Sequence, residues 1–412
     1  MDEFLPDVIP AIRESVIRFM ETRVNPAMEK FEASGTAPRD LVLEAGAAGF
    51  YGAVFPESVG GTDLGYLAAV VIQEEMARND VRFAACLNQQ SSTCPNFIYY
   101  GGNAQQIMKY VPNLLAGKTI GMMSLTEPDG GSDPIGAMKT VARREGDVYK
   151  INGAKMWASL ANECDVGVLV CKTDPSAPGA KGISAFIVEP KKYPGWTAQP
   201  IEMMGLSKAF RTNALFLDDF VVPVENLIGN EGDGFKIAMR ALQPGRVTVG
   251  AKALGVARAC FDEAVRYANE RIIRGSPIGK FQMIQSDIAE MATAIEASRA
   301  LIYHAARCLD ENLPSNRIAS IAKFHASVTA KMVADKTQQI FGGYGMSREY
   351  KISYLKAYSD MFFTGEGTAN IQKIVIAEDA LGYKIADRHH GNTGLRNPRT
   401  SDIARELQGV EQ

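Results

Sequence analysis

The sequence has no long hydrophobic run, few histidines and few cysteines, and each shortage excludes a class of protein. None of its apolar runs approaches the roughly 20 residues that a transmembrane helix needs, so we expect no membrane span. Six cysteines are scattered without a Cys-x-x-Cys pair, which is typical of a reducing compartment; with only four histidines, this argues against a metal site. The formal net charge of −3 offers no basic surface for nucleic acid.

The first residues also lack the marks of a targeting segment. Residues 1–7 include two aspartates and a glutamate. Secretory leaders begin with basic residues, and organelle transit peptides avoid acidic ones. We therefore expect a cytoplasmic protein.

What is present is the composition of a globular protein in three segments. Of the 412 residues, 46% are hydrophobic and 22% are charged, and the length predicts two or three domains. Residues 1–120 carry apolar side chains at helical spacing, residues 121–230 contain short β-type runs between glycines and prolines, and residues 231–385 are helical again. Residues 386–412 are polar and are predicted to form a tail. We thus predict an α+β fold with an N-terminal helical domain, a central small β-sheet or barrel, and a C-terminal four-helix bundle.

Two apolar stripes support the predicted bundle, because antiparallel helices pack along such stripes. One long helix is expected to carry Ile284, Ile288, Met291, Ile295 and Ile302. The next helix, with Ser315 as its candidate cap, is expected to carry Ile318, Ile321, Phe324, Val328 and Met332.

Three unusual glycine-containing stretches follow one another along the chain. Residues 125–134 contain Thr-Glu-Pro-Asp-Gly-Gly-Ser-Asp, residues 339–345 contain a Gly-Gly pair, and Gly365-Glu366-Gly367 stands just before a helix-like run. The flanking glycines leave Glu366 without neighbouring side chains, so a bound small molecule can approach its carboxylate closely. Each stretch alone is typical of a turn, but the three together indicate a binding site.

The order of segments and motifs resembles the acyl-CoA dehydrogenase family along nearly the whole chain. Residues 126–133 are similar to the family's first signature, and residues 339–368 to its second. The resemblance implies that FAD binds between the β domain and the C-terminal bundle, and that an acyl-CoA thioester is oxidised to an enoyl-CoA. It also implies a homotetramer, a dimer of dimers. Since the sequence has no second redox motif and no nicotinamide fingerprint, the implied electron acceptor is electron-transferring flavoprotein.

By resemblance, Glu366 is the catalytic base. A thioester α-proton is weakly acidic, so its removal needs a carboxylate held close in a dry site, and burial raises the pKa of a carboxylate towards that task. The β-hydrogen then leaves as hydride to the flavin. The backbone N–H of Glu366 is similar to the family donor that polarises the thioester carbonyl.

Further cofactor contacts carry over from the family one residue at a time. Thr126 is expected at the edge of the flavin ring, Trp157 over the ring, and the Ser159 hydroxyl at N5. A guanidinium fork suits a pyrophosphate, and Arg271 resembles the family arginine in that role. Gln282 and Gln339 resemble amides that hold the cofactor, often from a neighbouring subunit. The full set of expected cofactor residues is Met123, Leu125, Thr126, Ser132, Trp157, Ser159, Arg271, Gln282, Gln339, Gly343 and Thr368.

The chain departs from the family where the acyl group would bind. Gly365 stands where a bulky residue usually precedes the base, which predicts a more open pocket. The pocket floor would be polar, and burying polar groups under an alkyl chain is costly; these groups are Asn88, Gln89, Gln90, Ser91 and Ser92. Arg82 or Arg211 is expected to supply a counter-charge to a distal carboxylate. We therefore predict a short acyl-CoA that is branched, aryl-bearing or carboxyl-bearing, such as a substituted succinyl-CoA or glutaryl-CoA. The expected substrate residues are Ser132, Arg246, Gln89, Gly365, Gly367 and Arg82.

Other functions of the same fold remain open at this point. They are a flavin-dependent oxidase or monooxygenase, a dehydrogenase of straight-chain fatty acyl-CoA, and a non-catalytic CoA-binding subunit. Glu366 argues against the last, because such a subunit needs no base.

Overall fold

The computed structural model describes residues 5–85 and 87–382, which fold as helices, then a β-sheet, then helices again. This order confirms the predicted α+β fold. The predicted tail, residues 386–412, lies outside the described residues. Among those residues, no helix is long and apolar enough to cross a membrane.

The longest helix of the N-terminal part is α4, Gly65–Ala84, which is buried along most of its length. Asp80 interrupts the helical conformation near the end of α4, with φ −153° and ψ 100°. The remaining helices of this part are α1 Val8–Phe19 with a π-helical extension Met20–Val24, α2 Met28–Ser34, α3 Arg39–Ala47, α5 Leu87–Ser91, α6 Cys94–Gly101 and α7 Ala104–Leu115. At the start of α7, Asn103 and Gln106 form a reciprocal capping box.

The central segment forms a sheet in the order β6-β7-β3-β2-β4-β5-β8, with β1 beside β4. Most neighbours are antiparallel, but β4 pairs in parallel with β1 and, at one position, with β2. The strands are β1 Gly121–Ser124, β2 Val141–Glu145, β3 Val148–Ser159, β4 Val166–Lys172, β5 Ile183–Val188, β6 Trp196–Pro200, β7 Thr212–Pro223 and β8 Leu227–Ile228. A register shift in β3 between Lys155 and Ala158 coincides with a positive φ of 61° at Trp157, so the strand is irregular where that indole projects.

The C-terminal helices form the predicted bundle. They are α8 Gly234–Leu242, α9 Gly245–Glu270, α10 Gln282–Asp310, α11 Asn316–Phe341, α12 Ile352–Thr364 and α13 Ala369–Leu381, with a small hairpin of β9 Ile272–Ile273 and β10 Ser276–Pro277 after α9. Helices α9 and α11 run in the same direction: Gly250 lies against Lys323, and ten residues further along α9 the Cys260 carbonyl accepts a bond from Thr337. Their first residues therefore lie at one end of the bundle and their last residues at the other.

The predicted stripe of α10 is confirmed in part, whereas that of α11 is wrong. On α10, Met291, Ile295 and Ile302 are buried. On α11 the buried face is made of small residues, and the predicted stripe is only partly covered, with Val328 41% exposed. The small buried residues are Ala319, Ala322, Ser327, Ala326 and Ala330. The reason is a close helix approach, because a Cβ placed on Gly250 of α9 would lie 3.4 Å from the Lys323 Cα. Ser315 precedes α11 but makes no side-chain cap bond.

Candidate active site

Glu366 lies in a four-residue loop, residues 365–368, between α12 and α13, at one end of the bundle. Its φ is +49°, a left-handed conformation that is unfavourable for a residue with a Cβ. The next helix is fixed by Thr368, whose hydroxyl accepts a bond of 3.3 Å from the Ile371 N–H. The loop thus turns sharply and presents one carboxylate at the helix junction.

Two other elements meet this carboxylate. Asn88 of α5 donates a side-chain hydrogen bond to Oε1 of Glu366. On the other side, a Cβ placed on Gly245 at the start of α9 would lie 3.3 Å from Oε2. The glycine therefore leaves room for the carboxylate between α5 and α9.

The space beside the base is open, as Gly365 predicts. Among the described residues, a Cβ on Gly365 would meet only the Met361 carbonyl oxygen, at 3.1 Å. No other atom of the described residues, chain neighbours aside, lies within 4 Å of that Cβ, so the space around it is otherwise unfilled.

Two buried lysines near the base were missed by the sequence analysis. Lys323 of α11 is 0% exposed and donates to the carbonyls of Gly365 and Gly367. Lys252 of α9 is 1% exposed; its ammonium lies 3.5 Å from the Ala85 carbonyl and 5.8 Å from the centre of the Phe362 ring. Nothing in the linear sequence marks either lysine, since both stand in apolar helical runs that resemble ordinary core.

Lys252 shares a face of α9 with the residue beside the base. It follows Gly245 by seven residues, which is two helical turns or about 10 Å. Lys252 contacts Ala85, which follows α4, and Phe362 of α12. A buried positive charge therefore lies on the same helix as Gly245, two turns from it.

The polar side chains that the sequence predicts at the pocket floor make most of their hydrogen bonds within the protein. Gln90 donates to the Thr119 carbonyl at 2.7 Å and accepts from the Gly121 N–H at 2.6 Å. Ser91 donates to the Leu87 carbonyl. The Gln89 amide oxygen accepts from Thr93 rather than facing the base, and Ser92 bonds back to the Asn88 carbonyl. Because these bonds compensate burial, the floor does not by itself require a polar substrate; this part of the argument from sequence is wrong.

The two arginines expected to meet a distal carboxylate are engaged elsewhere. The Arg82 guanidinium binds Asp80 and Glu29, each at 2.7 Å, and covers the Tyr354 ring. Arg211 donates to the Lys208 carbonyl and lies against Gly35 of the N-terminal helices. The structure therefore supports neither as the counter-charge; Lys252, buried on α9 two turns from Gly245, is a further candidate.

Arg246 lies next to Gly245 on α9, at the same end of the bundle. Its guanidinium donates to the Asn316 amide oxygen at 2.7 Å and to the Ser320 hydroxyl at 3.1 Å. Those contacts tie the first turns of α9 and α11 together. Ser132, the other candidate CoA contact, is exposed on the loop after β1.

A buried ion pair supports the loop that includes Met123, Leu125 and Thr126. Lys155 of β3, 0% exposed, lies 2.7 Å from a Glu127 oxygen and donates to the Leu125 carbonyl at 3.1 Å. Backbone N–H groups of Lys139 and Thr140 also donate to Glu127. Burial alone would raise the pKa of Glu127, but Lys155 and these donors hold it below its ordinary value. The Thr126 carbonyl accepts from the Met156 N–H at 2.9 Å, so Thr126 is held beside the irregular part of β3.

That part of β3 offers a surface suited to a planar ring. Trp157 is 54% exposed. Ser159 lines a cavity of about 80 Å³ together with Phe210, Tyr358 and Met361. A cavity with aromatic and polar lining thus lies between the sheet and α12, two residues along β3 from an exposed indole, which fits the aromatic and polar character of a flavin ring.

The remaining expected cofactor residues lie at the opposite end of the bundle. Arg271 directly follows α9, and its guanidinium lies 5.6 Å from the Tyr344 ring centre, next to Gly343. Gln282 and Gln339 are both exposed. Helix α9 has 26 residues, about 39 Å, between the end with Glu366 and the end with Arg271. The structure therefore brings the candidates together as two clusters rather than one.

No group of three histidine, cysteine, aspartate or glutamate side chains suited to a metal ion occurs within residues 5–85 and 87–382.

Comparison with known proteins identifies relatives along the whole described chain. Family models described as acyl-CoA dehydrogenase N-terminal, middle and C-terminal domains match residues 9–118, 122–220 and 232–381. A glutaryl-CoA dehydrogenase of Desulfococcus multivorans is 37% identical over 94% of this chain and 100% of its own length. The caffeyl-CoA reductase-Etf complex subunit CarC of Acetobacterium woodii is 37% identical over 85% of this chain and 92% of its own.

A solved structure agrees with these sequence matches. The glutaryl-coenzyme A dehydrogenase in its glutaryl-CoA complex superposes with a TM-score of 0.89 at 37% identity, covering 95% of this chain and 100% of that chain.

Proposed function

The chain belongs to the acyl-CoA dehydrogenase family and is an FAD-dependent enzyme, and from this premise we propose that it oxidises the Cα–Cβ bond of a short, bulky or carboxyl-bearing acyl-CoA. The single observation that carries the proposal is the placement of the Glu366 carboxylate. It lies between Asn88 of α5 and Gly245 of α9, in a loop whose backbone is fixed on both sides.

Glu366 acts as the base in this proposal. Its carboxylate takes the α-proton of the thioester, and the backbone N–H of Glu366 donates to the thioester carbonyl, which makes that proton more acidic. Bound FAD supplies the acceptor for the β-hydrogen. Because the loop fixes both the side chain and the N–H of one residue, the base and the carbonyl donor keep a constant separation.

The flavin ring would be held by the cluster around β1 and β3. The Trp157 indole and the Ser159 hydroxyl would contact the ring, beside Thr126, whose carbonyl accepts a bond from the Met156 N–H. The buried Glu127–Lys155 ion pair would hold in place the loop that contains Thr126. Met123, Leu125, Ser132 and Thr368 complete the proposed ring-side contacts.

The pyrophosphate side would be completed by a second copy of the chain. The flavin ring and pyrophosphate of FAD are joined by a short ribityl chain, whereas Glu366 and Arg271 lie at opposite ends of a helix of about 39 Å. One chain therefore cannot supply both ends of one site. We propose that Arg271, Gln282, Gln339 and Gly343 serve the flavin of a neighbouring copy, within the homotetramer expected from the family.

The acyl group would extend from Glu366 towards Lys252. Gly365 leaves the space beside Cα and Cβ open, and Lys252 lies about 10 Å further along α9. An ammonium in a dry pocket favours a ligand carboxylate strongly. The proposed acyl groups are therefore a substituted succinyl group or a glutaryl group, bulky near the reacting carbons and anionic at the far end. Arg246, Ser132, Gln89 and Gly367 are proposed contacts of the CoA moiety or the thioester.

Electrons would leave through electron-transferring flavoprotein. One similar protein is named as part of an Etf complex, and the described residues contain no cysteine cluster that could form a second redox centre.

An anaerobic panel of acyl-CoA esters tests the proposal. The purified yellow protein is mixed with benzylsuccinyl-, glutaryl-, butyryl- and octanoyl-CoA under argon, and flavin bleaching is followed by stopped flow. We expect the two carboxyl-bearing esters to bleach the flavin fastest, and Lys252→Met to slow them at least tenfold while butyryl-CoA changes less than threefold. Octanoyl-CoA as the best substrate would refute the acyl assignment and leave the dehydrogenase assignment standing.

Air is then admitted to the bleached enzyme. Slow re-oxidation, with rapid turnover only when electron-transferring flavoprotein is present, supports a dehydrogenase. Turnover with oxygen alone at the same rate would instead make the enzyme an oxidase.

A further inference from the structure

One lysine holds both sides of the loop that presents Glu366. Lys323 Nζ donates to the Gly365 carbonyl at 3.1 Å and to the Gly367 carbonyl at 2.8 Å. The two acceptors flank the base directly in sequence. A single ammonium therefore binds the peptide group before Glu366 and the peptide group after Gly367.

The loop needs such a support, because its backbone is unfavourable. Glu366 has φ +49° and Gly367 has φ +83°, so two consecutive residues are left-handed. A left-handed residue with a Cβ persists only where the surroundings hold it. Besides Lys323, only one other side chain is seen to bond these carbonyls in the described structure: Gln372, which donates to Gly367 at 3.1 Å.

Lys323 is buried at a cost to folding. It is 0% exposed, and the close approach of α9 at Gly250 covers its backbone. Burial lowers the pKa of Lys323 to about 8; the charge of Glu366 opposes this shift, and that of Arg246 adds to it. A buried group with a displaced titration beside a candidate base is typical of a functional position rather than of ordinary core packing.

We propose that Lys323 is a positioning residue for the reaction: through its bonds to the Gly365 and Gly367 carbonyls it holds the Glu366 loop in its left-handed form. The charged groups around it are Glu366 from the loop and Arg246 from α9. Below its own pKa the Lys323 ammonium also attracts the Glu366 carboxylate, which adds to the hold on the loop. This inference rests on the proposed role of Glu366 as the base.

The test compares Lys323→Met with Lys323→Gln and with a matched control. Lys331→Met removes a lysine from the same helix whose ammonium instead pairs with Asp360 at a half-exposed position. Each FAD-loaded variant is assayed for flavin content, for hydrogen exchange of the peptide covering residues 362–370, and for the rate of anaerobic flavin reduction between pH 6 and 9.

In Lys323→Met we expect flavin content near wild type, faster exchange in the loop, and reduction at least tenfold slower per bound flavin. Its pH profile changes between pH 7 and 9, because the wild-type ammonium, with a pKa of about 8, no longer titrates there. KM for the ester changes less than threefold. Lys323→Gln restores part of the loop protection but keeps the changed pH profile, and Lys331→Met matches wild type throughout.

Two outcomes would overturn the inference. One is a Lys323→Met enzyme that reduces flavin at the wild-type rate with an unchanged pH profile. The other is a loss of activity explained wholly by lost flavin. Glu366→Gln is run in parallel to separate this failure from a failure of the proposed function. If the Glu366→Gln enzyme is active, Glu366 is not the base. If it is inactive while Lys323→Met behaves as wild type, only the role of Lys323 is refuted.

Discussion

The side-chain amide of Asn88 donates a hydrogen bond to the Glu366 carboxylate, although the two residues are 278 positions apart in the chain. The bond joins α5 of the N-terminal helices to the loop at the end of α12. The candidate site therefore exists only when these two parts of the chain are packed together, and the amide fixes the direction of the carboxylate.

Asn88→Asp tests that relationship. The substitution places a second carboxylate at hydrogen-bond distance from Glu366, and two such groups cannot both ionise easily. We expect flavin reduction at pH 7 to fall at least tenfold and to recover as pH rises, since the shared proton is then lost. Asn88→Ala is the control: it removes the bond without adding charge, so its rate should fall less and its pH profile should stay in place. Identical profiles for the two variants would contradict the proposed contact.

Glu366→Gln tests the base directly. The amide keeps the shape of the side chain but cannot accept a proton, so flavin reduction should slow by several orders of magnitude. Flavin content and ester binding, measured by the spectral shift on mixing, should remain within about tenfold of wild type, because the loop bonds come from backbone carbonyls. Reduction at near wild-type speed would exclude Glu366 from the mechanism.

The sequence predicts the fold well, because the fold depends on local patterns, and the same patterns single out Glu366 as the candidate base. Helical spacing, short β-type runs and the Gly365-Glu366-Gly367 loop are visible without coordinates. Side-chain pairing across the fold is not visible, and the errors arise there. Arg82 and Arg211 carry the right charge, yet each is bound by distant residues, Glu29 in one case and the region of Gly35 in the other.

The buried lysines were missed for a related reason. Lys323 lies on the alanine-rich face of α11, which α9 approaches closely at Gly250. The spacing of apolar residues predicts that the larger residues of α11 form its buried face. Helices that pack closely instead bury their smallest residues. Only the tertiary contact shows that a lysine on the small-residue face meets two carbonyls.

Lys155→Met tests the support of the flavin loop. Removing one partner of a buried ion pair leaves Glu127 charged and unpaired, at a cost of about 3–5 kcal/mol. We expect a lower melting temperature and a lower flavin content. Lys155 and the neighbouring donors hold the pKa of Glu127 below its ordinary value. The ionised Glu127 therefore stabilises the folded protein at any pH above that ordinary pKa. The stability difference between wild type and variant should thus be full at neutral pH and shrink as acid protonates Glu127. A Glu127→Gln, Lys155→Met double variant should recover part of the stability.

Gly365→Tyr tests the open space beside the base. The Cβ of the added side chain would lie 3.1 Å from the Met361 carbonyl oxygen, and we expect the ring to fill space beside the base. Activity on a bulky ester such as benzylsuccinyl-CoA should fall far more than activity on butyryl-CoA, measured as the ratio of kcat/KM values. Gly365→Ala is the matched control for the backbone and should change that ratio little. An equal loss of kcat/KM on both esters would contradict the proposal that Gly365 widens the acyl pocket.

Two inactive variants should restore each other if one site draws on two chains. Arg271→Ala loses the pyrophosphate contact, and Glu366→Gln loses the base. In a mixed dimer, one site combines Glu366 of the first chain with Arg271 of the second and is fully wild type, while the other site carries both changes. If dimers form at random, about half are mixed and half of their sites are intact, so about a quarter of the wild-type activity should appear on co-expression. Asn88→Asp co-expressed with Glu366→Gln is the control: those residues are bonded within one chain, so no site regains both. Activity equal to the sum of the separate variants in the Arg271 pair would refute a site that draws Arg271 and Glu366 from two different chains.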